Sequence, residues 1–303
     1  MELLRKLCSI HAPSADEGAM TAFVLDHIAH RSPEWKVQPK VLSGGELEEN
    51  IILVFGDSPR TAVFAHMDSI GFTVRYGKQL VKIGGPVLKD GLHLVGSDSN
   101  GPVEARLKVK DGEATYRASR LIDRGTSLTY KPDFRLTRNH VQCCYMDNRL
   151  GVWVALRLAE TLNEGIIVFS TREEHMGGAV SHLASILYNR YGINQALISD
   201  ITWVTEGVRP GKGVAISMRD SGLPRKKYLD RIIDLARTSD IHFQLEVEGA
   251  GGSDGTELQR SPYPIQWCFI GAAEQHVHTP DEKVHLADIE SMLAMYRYLM
   301  ERL

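Results

Sequence analysis

The chain has 303 residues, 43% hydrophobic and 24% charged, enough for one large domain plus a smaller one and ordinary for a soluble globular protein. With 35 basic against 38 acidic residues its formal charge is −3, which offers no general attraction to nucleic acid or to anionic membrane surfaces. Its apolar runs fall short of the roughly 18 residues a membrane-spanning helix needs, and the start, with charges inside its apolar patch and no cleavage-site pattern, predicts a cytoplasmic protein made without export.

In chain order, Leu3, Leu4 and Leu7, then Met20, Phe23, Val24 and Ile28, recur at helical spacing around a break at Ser14-Ala15-Asp16-Glu17. Asn50 to Gly56 and Thr61 to Ala65 are short apolar runs bounded by turn residues, the pattern of strands covered on both faces. After Gly71 the texture changes to short runs broken by Gly84-Gly85-Pro86, Asp90-Gly91 and Asp111-Gly112, which predicts an inserted β-rich module over residues 72 to about 140.

Helix and strand signals then alternate. A helix is expected near 148–163, a strand over Ile166 to Ser170, a helix near 178–190 and a strand over Ala196 to Asp200. A helix near 225–238, strands at Ile241 to Leu245 and Ile265 to Ile270, and a closing helix from about 287 complete the set. Such alternation implies parallel strands with crossover helices, so the larger domain is expected to be α/β and split in sequence, over residues 1–71 and 141–303. Cys8, Cys143, Cys144 and Cys268 lack metal-type CxxC spacing and read as packed thiols suited to a reducing cytosol.

Metal-competent side chains fall just after the strand-like runs, where open α/β sheets place their ligand sites. His66 and Asp68 follow Ala62 to Ala65, Glu173 and Glu174 follow Ile167 to Phe169, Asp200 ends Ala196 to Ser199, and His278 lies shortly after Ile270. Asp147 opens a predicted helix, where an N-cap alone would explain it. Imidazole and carboxylate without thiolate suit zinc, cobalt or manganese in open, catalytic sites. This donor set fills the shells of two ions only when one carboxylate bridges. Adjacent glutamates can divide the work, one ligating while the other stays free as general base. Asp68, two residues after His66, is placed to orient an imidazole ligand.

His66-Met67-Asp68-Ser69-Ile70-Gly71, Met146-Asp147-Asn148-Arg149-Leu150-Gly151, Thr171-Arg172-Glu173-Glu174, Ser199-Asp200-Ile201-Thr202 and Gly251-Gly252-Ser253-Asp254 resemble, in this order, the motifs of the glutamyl and tetrahedral aminopeptidase family. The resemblance implies a zinc-exopeptidase-like α/β fold, a mixed and mostly parallel sheet flanked by helices, with the inserted module serving dimerisation. It implies two divalent ions per subunit, zinc foremost, with Asp147 bridging, His66 and Asp200 on one ion, Glu174 and His278 on the other, and Glu173 as base. It also implies peptide substrates and a homo-oligomer. At the last ligand the chain departs from the Arg-Tyr-x-His-Ser common in relatives and reads Gln275-His276-Val277-His278-Thr279, closer to the His-Thr-Pro-Asp-Glu run of related clan members.

Other readings stand beside this one. Another amide hydrolase of the clan, a carboxypeptidase or deacylase, would need a cationic pocket for a substrate carboxylate. A catalytically inactive metal-binding scaffold would have no use for Glu173. Glycoside hydrolysis needs two carboxylates flanking the bond at roughly 5–10 Å, which adjacent glutamates serve poorly. Asp254 is a candidate to line the substrate site, and His175, His276 and Glu206 read as supporting or surface groups.

Overall fold

The computed structural model describes residues 1–303. Helices α1 (Glu2–Ser9) and α2 (Gly18–Arg31) lead into strands β1 (Lys40–Ser43), β2 (Ile51–Phe55) and β3 (Thr61–His66). Strands β4 (Gly71–Val74), β5 (Leu80–Ile83), β6 (His93–Asp98), β7 (Gly101–Lys110), β8 (Glu113–Arg117) and β9 (Ser127–Tyr130) form a separate sheet, antiparallel throughout, in the order β5-β4-β9-β6-β7-β8.

By Arg135 the chain is back in the large sheet, through β10 (Arg135–Leu136) and β11 (His140–Gln142). Helix α3 (Met146–Ala159), β12 (Gly165–Ser170), α4 (Val180–Tyr191), β13 (Gln195–Trp203) and β14 (Val214–Arg219) follow. The chain ends with α5 (Lys226–Arg237), β15 (Phe243–Val247), α6 (Asp254–Arg260), β16 (Gln266–Gln275), β17 (Lys283–His285) and α7 (Leu286–Met300).

The large sheet runs β1-β2-β12-β3-β13-β16-β17-β11-β10, and β14 joins β16 and carries β15 outside it. Its centre, β12-β3-β13-β16, is parallel, and the flanks are mostly antiparallel, as expected of a mixed sheet. The central strands are buried on both faces, which is why they read as continuous apolar runs. Alternate residues serve opposite layers. Val63, Ala65, Ile167, Phe169 and Leu197 pack with α1, α2, α3, α5 and α7, while Ala62, Phe64, Ile166, Val168 and Ala196 pack with α4 and α6.

The expected helices and strands are present, with shifted limits. Strand β13 runs past Asp200 to Trp203, so Asp200 is mid-strand, paired with Gly271 of β16, rather than terminal. Strand β14, a short apolar run after Gly213, lies outside the expected set. All four cysteines are buried free thiols. No helix is long and apolar enough to cross a membrane.

Candidate functional site

The C-terminal ends of the parallel strands bring His66, Asp147, Glu173, Glu174, Asp200 and His278 together, the crevice position expected of an open α/β sheet. His66 is the last residue of β3, and Glu173 and Glu174 follow β12. Asp200 lies beyond Ile198, the last residue of β13 paired with β3, and so faces the opening. His278 follows the end of β16.

Asp147 is not a helix cap. Asn148 takes that role, its Oδ1 accepting the Gly151 amide at 2.9 Å while its Nδ2 donates to the Ser199 carbonyl at 2.9 Å. Asp147 and Asn148 have non-helical backbone angles, and the Asp147 carboxylate is thereby free to point into the site.

The His66 Nε2 lies 3.3 Å from Asp147 Oδ1 and 3.5 Å from Asp200 Oδ2. The His278 Nε2 lies 3.3 Å from Asp147 Oδ2 and 3.2 Å from Glu174 Oε2. Each oxygen of Asp147 thus faces a different imidazole, and two triads of donor atoms, each within 4.8 Å, share this one carboxylate. Glu173 belongs to neither triad. Its Oε2 stands 3.8 Å from His66 Nε2 and its side chain lines the cavity.

The donor set fits divalent cations. Four carboxylates and two imidazoles, nitrogen and oxygen with no thiolate, crowd a part-buried space, and Glu174 Oε1 is buried there without any hydrogen-bond partner. Like charges so close are tolerated only with counter-cations or bound protons.

Asp68 is fully buried and braces the site from behind. Its Oδ1 is 3.4 Å from His66 Nδ1 and accepts the Glu173 amide at 3.1 Å, while its Oδ2 accepts the Glu174 amide at 3.1 Å and the Ser14 hydroxyl at 2.5 Å. One carboxylate therefore positions both an imidazole and the Glu173-Glu174 backbone. Asp68→Asn is expected to weaken metal binding about 10- to 100-fold, the usual loss for a partner that orients a ligand, measured by competition with a chromogenic chelator.

In the absence of cations the cluster holds protons. Burial alone would lower the His278 pKa, but its hydrogen bonds and charge contacts with Asp147 and Glu174 push it up to about 11. Burial first, then the Asp147 charge, raises Glu174 to about 7, and burial with Asp147 raises Asp200 to about 6. Burial also opposes protonation of His66, yet the Asp200 and Glu173 charges carry its pKa well above the usual imidazole range. The candidate ligands must shed these protons to bind metal, so apparent affinity is expected to rise with pH and loading near neutrality to release protons. Calorimetry in buffers of different ionisation enthalpy checks this, and a buffer-independent heat would contradict it.

Some supporting residues were not singled out in the sequence. Glu282 is fully buried, its Oε2 accepting the Asp147 amide at 3.3 Å and its Oε1 the His278 amide at 3.0 Å, so one side chain ties two candidate ligands. Its signal was the His-Thr-Pro-Asp-Glu run. Glu274, at the end of β16, is buried with both carboxylate oxygens unpartnered. Burial, then the charges of Glu282 and Asp147, holds its pKa well above the usual carboxylate range.

Ser253 caps α6, accepting the Gly255 amide at 3.1 Å. Asp254 is buried and accepts the Ser170 hydroxyl, so it supports the end of β12 rather than lining the cavity. His175, His276 and Glu206 are exposed and stand outside both triads. The small sheet reaches the site through Gly84 and Gly85. A Cβ on Gly85 would lie 2.9 Å from His278 Nδ1, and Gly84, at φ +66, donates to His175 Nδ1 at 3.0 Å.

The fold recurs among solved structures. A TET aminopeptidase from a marine sediment archaeon of the Thaumarchaeota superposes with a TM-score of 0.86 at 18% identity, covering 100% of this chain and 96% of its own. The Pyrococcus horikoshii TET1 peptidase gives 0.81 at 21% identity, covering 100% and 99%. A curated protein of Acetivibrio thermocellus whose name carries the word aminopeptidase is 25% identical over 97% of this chain and 96% of its own length. Fold and matches together define a peptidase-type hydrolase. Residues 106–295 match the M42 glutamyl aminopeptidase family, and the chain belongs to that family of metallopeptidase-type aminopeptidases.

Proposed function

We propose that the chain removes N-terminal residues from peptides at a centre of two divalent ions, with Glu173 as general base. The observation that carries this reading is the Asp147 carboxylate, whose two oxygens each face a different imidazole at 3.3 Å, with an uncommitted Glu173 carboxylate in the same cavity. His66 and Asp200 would hold one ion, Glu174 and His278 the other, and Asp147 both. Ions bound there, zinc, cobalt or manganese, would polarise the scissile carbonyl and lower the pKa of the attacking water.

Glu173 takes the proton from that water and returns it to the leaving amine. Burial first, and then the Asp200 and Glu174 charges against the opposing His66, raises the Glu173 pKa above the usual carboxylate value, which makes it a stronger base. Asp68 keeps the Glu173 backbone and the His66 ring fixed through the cycle. The substrate's free amino group docks against the carboxylates of the cavity.

The carboxypeptidase or deacylase reading calls for a cation to hold a substrate carboxylate, and no lysine or arginine lines this cavity. The glycosidase reading is disfavoured by the adjacency of Glu173 and Glu174. Protein stripped by chelator should be inactive and regain full aminopeptidase activity at two equivalents of zinc, cobalt or manganese per chain. Activity that survives stripping would overturn the reading.

We also propose self-association through the small sheet and cytoplasmic residence. The Pyrococcus horikoshii TET1 peptidase can assemble into a tetrahedron or a large octahedral shell. Light scattering of this chain against a variant altered on the small sheet would test its own assembly.

A further inference from the structure

Next to the candidate ligands the cavity carries a second set of carboxylates with no evident duty toward the ions. Asp220 lies just past β14, and Glu246 and Glu248 lie at the end of β15. Glu246 and Glu248 are two residues apart on extended chain, so they share one face, and the β14–β15 pairing sets Ser217 opposite Glu246.

Glu246 is only 4% exposed. Its Oε1 accepts the Thr202 hydroxyl, and its side chain lines the cavity. Asp220 is 8% exposed and uses Oδ1 to accept the Gly222 amide. The neighbouring guanidinium does not neutralise it by a direct ion pair, because Arg219 Nε donates to the Asp220 backbone carbonyl at 3.2 Å.

Buried carboxylates are ordinarily paired with a cation, and no lysine or arginine lines this space. Burial raises the Glu246 pKa, and the Glu248 and Asp220 charges add to the shift, as expected of acids facing one another without a cation between them. The remaining walls include Trp203, Phe269 and Ala250, apolar surface suited to an aliphatic stem, and the cavity measures about 310 Å³. Apolar walls ending in acid match a side chain with a hydrocarbon stem and a cationic head.

We propose that this cavity selects peptides whose N-terminal residue is lysine or arginine, with Glu246 as the central recognition carboxylate and Asp220 and Glu248 flanking it. The proposal rests on the aminopeptidase reading above and narrows it. A glutamyl side chain, the preference in the family's description, would meet like charges here.

Lysine and norleucine differ essentially in the ammonium, which makes them the test pair. On the metal-loaded protein, kcat/KM for lysyl p-nitroanilide is expected to exceed that for the norleucyl substrate at least about tenfold, with the glutamyl substrate slowest, a ratio in keeping with a hydrogen bond to a charged partner. Glu246→Gln should shrink the lysyl-to-norleucyl ratio about tenfold. Glu248→Gln, at a half-exposed position, serves as the second variant if the buried exchange impairs folding. An equal loss on both substrates would overturn the proposal, because it would assign these acids to the α-amino group common to both.

Binding separates this proposal from the reading beneath it. Calorimetry of lysinamide against norleucinamide on metal-loaded Glu173→Gln protein should show tighter lysinamide binding, and equal binding would overturn the proposal whatever the turnover. Selective lysinamide binding with no cleavage of any aminoacyl substrate would instead keep the cavity's preference and remove the aminopeptidase reading.

Discussion

Glu173→Gln is expected to lower kcat by about 10³ while metal content stays unchanged, the loss appropriate to removing a positioned general base. Glutamine keeps the shape of the side chain and its place in the cavity but accepts no proton. Glu173 lies outside both donor triads, so its exchange leaves the ligands in place. The Asp68 bond to the Glu173 amide, at 3.1 Å, fixes the backbone in either variant. Elemental analysis and steady-state kinetics on the same sample check this. Loss of metal together with activity would make Glu173 a ligand, and retained turnover would remove it from the chemistry.

Asp147→Asn is the second large effect. The carboxylate faces both imidazoles at 3.3 Å, so the exchange weakens both sites at once, whereas a change at His66 or His278 touches one. Loss of affinity should exceed the about 10- to 100-fold seen when only an orienting partner is removed. Activity should fall by more than about 10³ at ordinary metal supply, as expected when the centre that activates water is emptied. Titration with zinc followed by elemental analysis would show both equivalents weakened. A variant that keeps one tight ion would place Asp147 in a single site.

The central strands were legible in the sequence because burial on both faces leaves unbroken apolar runs, as in Thr61 to Ala65 and Ile166 to Ser170. His66, Glu173 and Glu174 could be found because they immediately follow such runs. Asp147 was harder, since its sequence context also fits a helix cap, and only the side chain of Asn148 in the folded chain settles which residue caps. Asp200 reads in the sequence as a strand end, but its strand continues because β16 pairs with it as far as Trp203.

Residues brought in from a distance left little signal. Glu274 and Glu282 sit among residues that read as strand and turn, and their burial depends on β16 folding back onto β17. Asp220 and Glu246 are far apart in the chain, and only the β14–β15 pairing puts them in one wall. An isolated Asp or Glu in a polar stretch is ordinarily solvated. Charge in a cavity wall is a property of register and pairing, not of local sequence.

The central claim is metal-dependent cleavage at a free N-terminus, and it is tested most directly with one set of peptides having free or acetylated N-termini and free or amidated C-termini. Each is incubated with zinc-, cobalt- or manganese-loaded protein and a chelator control, and released amino acids are quantified. Chelator-sensitive release is expected from free N-termini alone, whatever the state of the C-terminus. Cleavage that requires a free C-terminus, or no cleavage by the metal-loaded protein, would contradict it.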